Sequence, residues 1–142
     1  MEWSRYLSTG VGEVLYHMCD VEDWNEQIAS NGFYVPPTYE QDGFIHATAV
    51  PSFLLGVANH FYKDSTGSWI CLKIDPNSFA MGKVIYEAAA PVGNKEEYNH
   101  SDAGPEPKFP HIYAPIPKAA VIGMNAIKRS EDGSFLSIDG IC

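Results

Sequence analysis

The sequence is poor in cysteine, in basic residues and in long apolar runs. Its three cysteines are odd in number and lack C-x-x-C spacing, so they indicate neither a disulfide framework nor a zinc site. No apolar stretch approaches the roughly 18 residues of a membrane span, and the first residues lack the basic and apolar regions of a secretory signal. We therefore predict a cytoplasmic protein with reduced thiols and no membrane contact.

Positive charge is scarce throughout the chain. Nine Lys and Arg residues stand against eighteen Asp and Glu residues, for a net charge of -9, and the arginines are Arg5 and Arg129. Because such a surface repels polyanions, non-specific binding of nucleic acid is disfavoured. A small nucleotide remains compatible with this charge, since backbone amides and one or two cations can hold a single pyrophosphate.

Hydrophobic periodicity predicts a small α+β fold. Helical spacing indicates helices over 20–31, where Asp20 is the N-cap and Gly32 ends the helix, and over 51–62. Short apolar or alternating segments indicate strands over 14–19, 44–48, 69–74, 83–87, 109–113, 119–127 and 134–138, of which 69–74 is almost continuously apolar, as a buried strand is. Since strands dominate after about residue 63, we predict a single domain, residues 1–142, with two helices near the N-terminus and a curved or split, mainly antiparallel sheet.

Prolines and turn residues shape the predictions for the connections. Residues 33–42 contain two adjacent prolines and end in Asp42-Gly43, which indicates a loop or short edge segment. Pro110 makes the 109–113 strand an edge or irregular segment. The connection over 88–110 is long for a compact domain, and such loops are often functional lids or mobile segments.

Three histidines, His17, His46 and His111, lie in predicted strands. Alternation puts two of them on faces shared with aromatic or hydroxyl groups, namely Phe44 and Thr48 beside His46, and Phe109 and Tyr113 beside His111. A wall of this composition offers ring surfaces to a flat ligand, and imidazole moves protons near neutral pH. We predict that the three histidines line one cleft.

Metal and nucleophile chemistry are less well supported by the spacing. Zinc sites often place two histidines at a short fixed interval, which these three lack, so no metal is expected. There is no G-x-S-x-G motif, and Cys19 and Cys71 lie in apolar strands, which disfavours a nucleophilic serine or cysteine. No Gly-rich phosphate-binding motif is present either.

Glu87, at the end of the KVIYE strand, is the carboxylate that the pattern singles out. The commoner fate of such a glutamate is a solvated strand end. At the mouth of a histidine-lined cleft, however, it would bind a ribose hydroxyl and stabilise positive charge that develops on the sugar carbon.

Several short motifs resemble, in order along the chain, the small proteins of domain of unknown function family 952. The motifs are Leu15-Tyr16-His17, GFIHAT at 43–48, VANHFY at 57–62, Tyr86-Glu87 and FPHIY at 109–113. The resemblance runs from about Val14 to Ile127, and GFIHAT and FPHIY are its most specific parts.

The resemblance implies a fold and a ligand, because this family is grouped with the ADP-ribosyltransferase superfamily, whose members bind NAD in the cleft of a split, curved sheet. It implies an NAD-type nucleotide as substrate or ligand, with transfer or hydrolysis at the ribosyl C1' carbon. The implied catalytic residues are His17, His46, Glu87 and His111. The implied NAD-binding residues are His17, Phe44, His46, Thr48 and Tyr113.

Each of these residues has an expected role. His17 would hydrogen-bond the ribose, His46 would pack on or polarise the nicotinamide, and Glu87 would stabilise the oxocarbenium-like state. His111 with Tyr113 would orient the acceptor or a phosphate. Two alternatives stay open: a non-catalytic module that senses a nucleotide or sugar phosphate in the same pocket, and an interaction domain whose 88–110 loop meets a protein partner.

Overall fold

Nine strands and three α-helices form within residues 14–98 and 108–142, the part of the chain that the computed structural model describes. The helices are α1 (Val21–Asn31), α2 (Tyr39–Asp42) and α3 (Leu54–Phe61). The strands are β1 (Leu15–Asp20), β2 (Phe33–Tyr34), β3 (Ile45–His46), β4 (Trp69–Ile74), β5 (Val84–Ala88), β6 (Lys108–Ile112), β7 (Ile116–Pro117), β8 (Val121–Arg129) and β9 (Phe135–Ile138).

The strands pair antiparallel in two main sheets that meet at a single bridge. One sheet has the order β1-β4-β8-β9 and the other has the order β3-β6-β5, while β2 and β7 form a separate two-stranded ribbon. Tyr16 and Thr48 exchange two backbone hydrogen bonds, of 2.8 and 2.9 Å, and this isolated bridge joins β1 to the segment after β3. The result is a curled antiparallel half-barrel that is split between β1 and β3, which confirms the predicted fold class.

Alternation along the strands divides the apolar residues between two packed layers. One face of the sheet packs against α1 and the β2–β7 ribbon, through Leu15, Ile45, Leu72, Ile74 and Ile112 from the strands and Trp24 and Tyr34 above them. The other face packs against α3, through Met18, Cys71, Ile127, Phe135, Leu54 and Ala58. Burial on both faces therefore fixes the register of β1 and β4, since a one-residue slip would exchange the two layers.

The caps of α1 are those that the sequence predicts. The Asp20 carboxylate accepts a hydrogen bond of 2.9 Å from Asp23 N, which satisfies one of the free N–H groups of the first turn. Gly32 ends the helix in the left-handed region, at φ 80°, and donates its N–H to Ile28 O at 3.0 Å. Among the described residues, no helix combines the length and the apolar character needed to cross a membrane.

Two local predictions need correction. Residues 33–42 do contain a short edge strand, β2, but they also contain the one-turn helix α2, which the prediction of a loop or short edge segment missed. The β6 strand is not at an edge but lies between β3 and β5. Pro110 is tolerated there because β3 is only two residues long. The Pro110 carbonyl accepts from Ala47 N at 3.1 Å, just after β3. The proline therefore ends the β3–β6 ladder instead of interrupting it.

Candidate functional site

His17 fills the gap where the two sheets separate, one residue beyond the Tyr16–Thr48 bridge. Its Nδ1 lies 2.7 Å from the carbonyl oxygen of His46. Because a carbonyl only accepts, Nδ1 carries the proton and Nε2 carries the lone pair. The side chain is only 4% exposed, and Nε2 has no hydrogen-bond partner among the described residues. Burial lowers the pKa of His17 to about 4, so this imidazole is neutral at pH 7.

The buried state of His17 predicts a loss of stability at acidic pH. Its pKa is 6.5 in the absence of burial and about 4 in the fold. Between these values the unfolded chain binds a proton at His17 and the folded chain does not. The free energy of unfolding therefore decreases by about 3 kcal/mol as the pH is lowered through this range. Urea unfolding from pH 7 to 4.5 measures this slope. The His17→Asn variant, which cannot titrate there, is expected to show a weaker slope, and equal slopes would contradict the assignment.

His46 is hydrogen-bonded to the carboxylate of Asp42, which also accepts from a backbone N–H. Its Nε2 donates to Asp42 Oδ2 at 3.0 Å, and the Asp42 side chain is only 7% exposed. Both oxygens of Asp42 also lie 3.1 Å from Gly93 N, which donates to this carboxylate. Burial lowers the pKa of His46, and the hydrogen bond to Asp42 opposes this shift. Asp42 thus fixes the tautomer that carries its proton on Nε2.

His111 belongs to a second carboxylate-bound group. Its Nδ1 donates to Glu87 Oε1 at 2.8 Å, and the Tyr113 hydroxyl donates to the same oxygen at 2.5 Å. The hydrogen bond from Tyr113, followed by that from His111, lowers the pKa of Glu87. Burial lowers the pKa of His111 despite the opposing effect of Glu87. The group therefore consists of an ionised carboxylate and a neutral imidazole at pH 7.

Register and aromatic packing bring these two groups together. His46 and His111 are Cα partners on neighbouring strands, and their ring centroids lie 5.4 Å apart. Phe44 stacks on His111 with 4.1 Å between the centroids and 19° between the planes. It also lies 4.7 Å from the His46 ring and 5.3 Å from the Tyr113 ring, measured between centroids. One aromatic side chain thus restricts the orientation of both imidazoles.

A small cavity of about 40 Å³ lies between these strands and α3. The three histidines and Thr48 line one side of it, and Val57 and Phe61 of α3 line another. Ala89, Ala90, Val92 and Tyr98 cover it. None of its described lining residues is a lysine or arginine. A neutral, largely apolar wall of this kind accepts a hydroxyl or amide group more readily than a phosphate.

The structure brings the predicted site residues together, although they do not all line the cavity. His17, His46, His111 and Thr48 contribute to its wall. Glu87 and Phe44 contact His111 from outside that wall, and Tyr113 contacts both of them. Glu87 therefore stands behind His111, with its side chain 39% exposed, instead of at the mouth of the cavity. The catalytic and NAD-binding roles of all seven residues stay predictions.

Asp42 is the site residue that the sequence did not single out. It stood out only as part of the Asp42-Gly43 turn, although it lies four residues before His46 and the two side chains meet. His60, on α3, donates from Nε2 to Glu96 O at 2.7 Å, because a carbonyl only accepts. Within the described residues, no three His, Cys, Asp or Glu side chains are grouped so as to hold a metal ion.

The fold and the site define a class of small α+β protein whose curled, split sheet surrounds a histidine-lined cavity. The chain belongs to the family described as "Protein of unknown function (DUF952)", whose model matches residues 18–124. This match confirms the family named from the sequence motifs. No curated protein matches the chain.

Solved structures of one bacterial protein share the fold. The crystal structure of protein CC0527 from Caulobacter crescentus has a TM-score of 0.65 and 17% sequence identity, and the match covers 87% of this chain and 93% of that one. The solution NMR structure of the same protein has a TM-score of 0.56 and 19% identity, over 84% of this chain and 89% of that one. At this identity the similarity establishes the architecture alone.

Proposed function

We propose that the protein binds an NAD-type nucleotide and acts at its ribosyl C1' carbon, by ADP-ribosyl transfer or glycohydrolysis. One observation carries the proposal: three neutral imidazoles and two carboxylates converge where the curled sheet splits. His17 contacts the His46 backbone, His46 lies beside His111, and Asp42 and Glu87 each hold one imidazole. The expected grouping of the family with ADP-ribosyltransferases, which place NAD in such a split, gives the proposal its ligand.

His17 and His46 would bind the nicotinamide riboside half of the nucleotide. The unpartnered lone pair on His17 Nε2 needs a donor, and a ribose hydroxyl supplies one. His46 adjoins His111 in the cavity wall, and Phe44 supports both rings. With no lysine or arginine in the described wall, the pyrophosphate would lie outside the cavity.

Glu87 and His111 would carry the chemistry. As the C1'–N bond breaks, its electron pair leaves with nicotinamide, and the ionised Glu87, which lies behind His111, stabilises the positive charge left on the ribosyl group through the imidazole that it holds. Tyr113 and His111 both donate to Oε1, which leaves Oε2 without a partner among the described residues. A new C1'–O bond then forms to water or an acceptor hydroxyl, whose proton passes to His111 Nε2.

Incubation with NAD tests this proposal directly. We expect nicotinamide to be released, with or without added acceptors, and we expect NAD at about 100 times its dissociation constant to raise the melting temperature by roughly 5–10 °C. His46→Ala is expected to remove both effects. The absence of nicotinamide release from the unmodified protein would refute the enzymatic proposal, whether or not the melting temperature rises.

A non-catalytic nucleotide sensor is the second candidate, and the cavity of about 40 Å³ favours it. Ligand sites for drug-sized molecules span roughly 300–1,000 Å³, so a site of this size must widen around a nucleotide, which suits a protein that responds to its ligand by changing shape. A melting shift with NAD that His46→Ala abolishes, without any release of nicotinamide, would establish the sensor over the enzyme.

A further inference from the structure

Residues 89–98 form a cover over the histidine cavity, and we call them the lid segment. Ala89, Ala90, Val92 and Tyr98 face the cavity. Val92 and Lys95 exchange two backbone hydrogen bonds of 3.0 Å, so the middle of the segment is a closed turn. The cavity that these residues help to line has a volume of about 40 Å³, which is room for one or two water molecules. Because His17 is only 4% exposed, a ligand that reaches its side chain must move part of the surrounding wall, to which the lid segment contributes four residues.

One end of the lid segment rests on α3. His60 Nε2 donates to Glu96 O at 2.7 Å, and the His60 and Tyr98 ring centroids lie 5.2 Å apart. Tyr98 also lies directly over Gly56, where a methyl group would overlap the tyrosine Oη. Glycine at position 56 therefore permits the close approach of the lid segment to the helix.

The turn in the middle of the lid segment rests on α2. Gly93 N donates to the Asp42 carboxylate, whose two oxygens both lie at 3.1 Å, and Gln41 Nε2 donates to Asn94 Oδ1 at 2.9 Å. The same carboxylate accepts from His46 Nε2 at 3.0 Å. Asp42 is therefore the one described residue that hydrogen-bonds both to the lid segment and to a histidine of the cavity.

We propose that residues 89–98 are a lid over the histidine cavity, and that Asp42 is both the latch of this lid and the positioning residue of His46. When the lid opens, Asp42 loses the Gly93 N–H and keeps His46 as its hydrogen-bond donor within the described residues. Lid closure and the orientation of His46 thus depend on one carboxylate, which accepts from both donors at once. This inference goes beyond the proposed function, since it concerns access to the cavity and is tested without a nucleotide.

Gly56→Ala is expected to open the lid without weakening the fold. The added methyl group displaces the end of the Tyr98 side chain, while alanine improves the helix propensity of α3. Acylation of His17 and His46 by diethyl pyrocarbonate, mapped by mass spectrometry, should become about 10-fold faster, because it follows the population of the open state. The free energy of unfolding in urea should not fall.

A cross-link that holds the lid closed is expected to have the opposite effect. Gln41→Cys and Asn94→Cys, in a Cys142→Ser background, can be joined by a short bis-maleimide, since the remaining Cys19 and Cys71 are buried. Cross-linking is expected to slow the acylation of His17 and His46 relative to the same protein before reaction. Equal acylation rates before and after cross-linking would show that the cavity is reached by another route and would overturn the lid.

The positioning role has a separate spectroscopic readout. In unmodified protein, imidazole 15N NMR should report the His46 tautomer with its proton on Nε2. Asp42→Asn is expected to mix the two tautomers and to speed the acylation of His46, because an amide offers one acceptor oxygen to two donors. An unchanged tautomer would overturn this role. Failure of NAD turnover would refute the proposed function and leave these acylation and NMR results unaffected.

Discussion

The Glu87→Gln variant is expected to release nicotinamide from NAD about 100-fold to 1,000-fold more slowly than the unmodified protein. The glutamine keeps an oxygen that accepts from Tyr113 and His111, so the fold should be retained. What it loses is the negative charge, which two hydrogen bonds hold ionised at neutral pH. Since that charge acts on the positively charged transition state, kcat should fall while KM changes little.

Two variants distinguish this charge effect from a general disturbance. Tyr113→Phe removes one donor to Glu87 Oε1 and leaves the charge, so its rate should lie between those of Glu87→Gln and the unmodified protein. Glu131→Gln removes an exposed carboxylate in the turn before β9 and should leave the rate unchanged. A Glu87→Gln enzyme with full activity would exclude Glu87 from the reaction, even if NAD binds.

Gly133→Ala is expected to lower the free energy of unfolding by about 3 kcal/mol. Gly133 adopts φ 94°, in the left-handed region that disfavours a side chain. An added methyl group would also overlap the backbone carbonyl oxygen of Lys63. That carbonyl cannot move aside easily, because Arg129 donates to the carbonyls of Lys63, Ser65, Gly67 and Gly133 and ties this corner together.

Gly32→Ala is the matched control for this prediction. Gly32 has a similar φ of 80°, but no atom lies within 4 Å of the position that its Cβ would take. The free energy of unfolding of Gly32→Ala should therefore fall by only about 1 kcal/mol, the conformational cost of an alanine in the left-handed region. Urea unfolding with equal m-values measures the difference. Equal losses in the two variants would show that the Lys63 contact carries no cost.

Local sequence patterns predicted the elements that depend on near neighbours. Asp20 caps α1 through the N–H of Asp23, three residues away, so the helix start is encoded within one turn. Alternation likewise assigned Ile45 to one face and His46 to the other, as the structure has them. The motifs around His17, His46 and His111 were also sufficient to identify the family.

The order of the strands was not encoded in such local terms. Pro110 indicated an edge strand, yet β6 lies between β3 and β5. A proline is expected at an edge because it cannot donate a hydrogen bond to a neighbouring strand. Whether a hydrogen bond is lost depends on how far that neighbouring strand extends. Because β3 has only two residues, the proline falls where the ladder already ends. Only the pairing of distant segments could reveal this.

The sequence by itself determined that three histidines sit in strands, on which faces they lie, and that the fold is a small α+β domain with a curved antiparallel sheet. The tertiary structure alone decided that His17 binds the backbone of His46, 29 residues further along, and that Asp42 holds both His46 and Gly93. It also placed Glu87 behind His111 and brought four residues of 89–98 into the wall of the cavity. The physical reason is range: capping and alternation act over a few residues, whereas these contacts arise when the sheet curls and brings distant strands together.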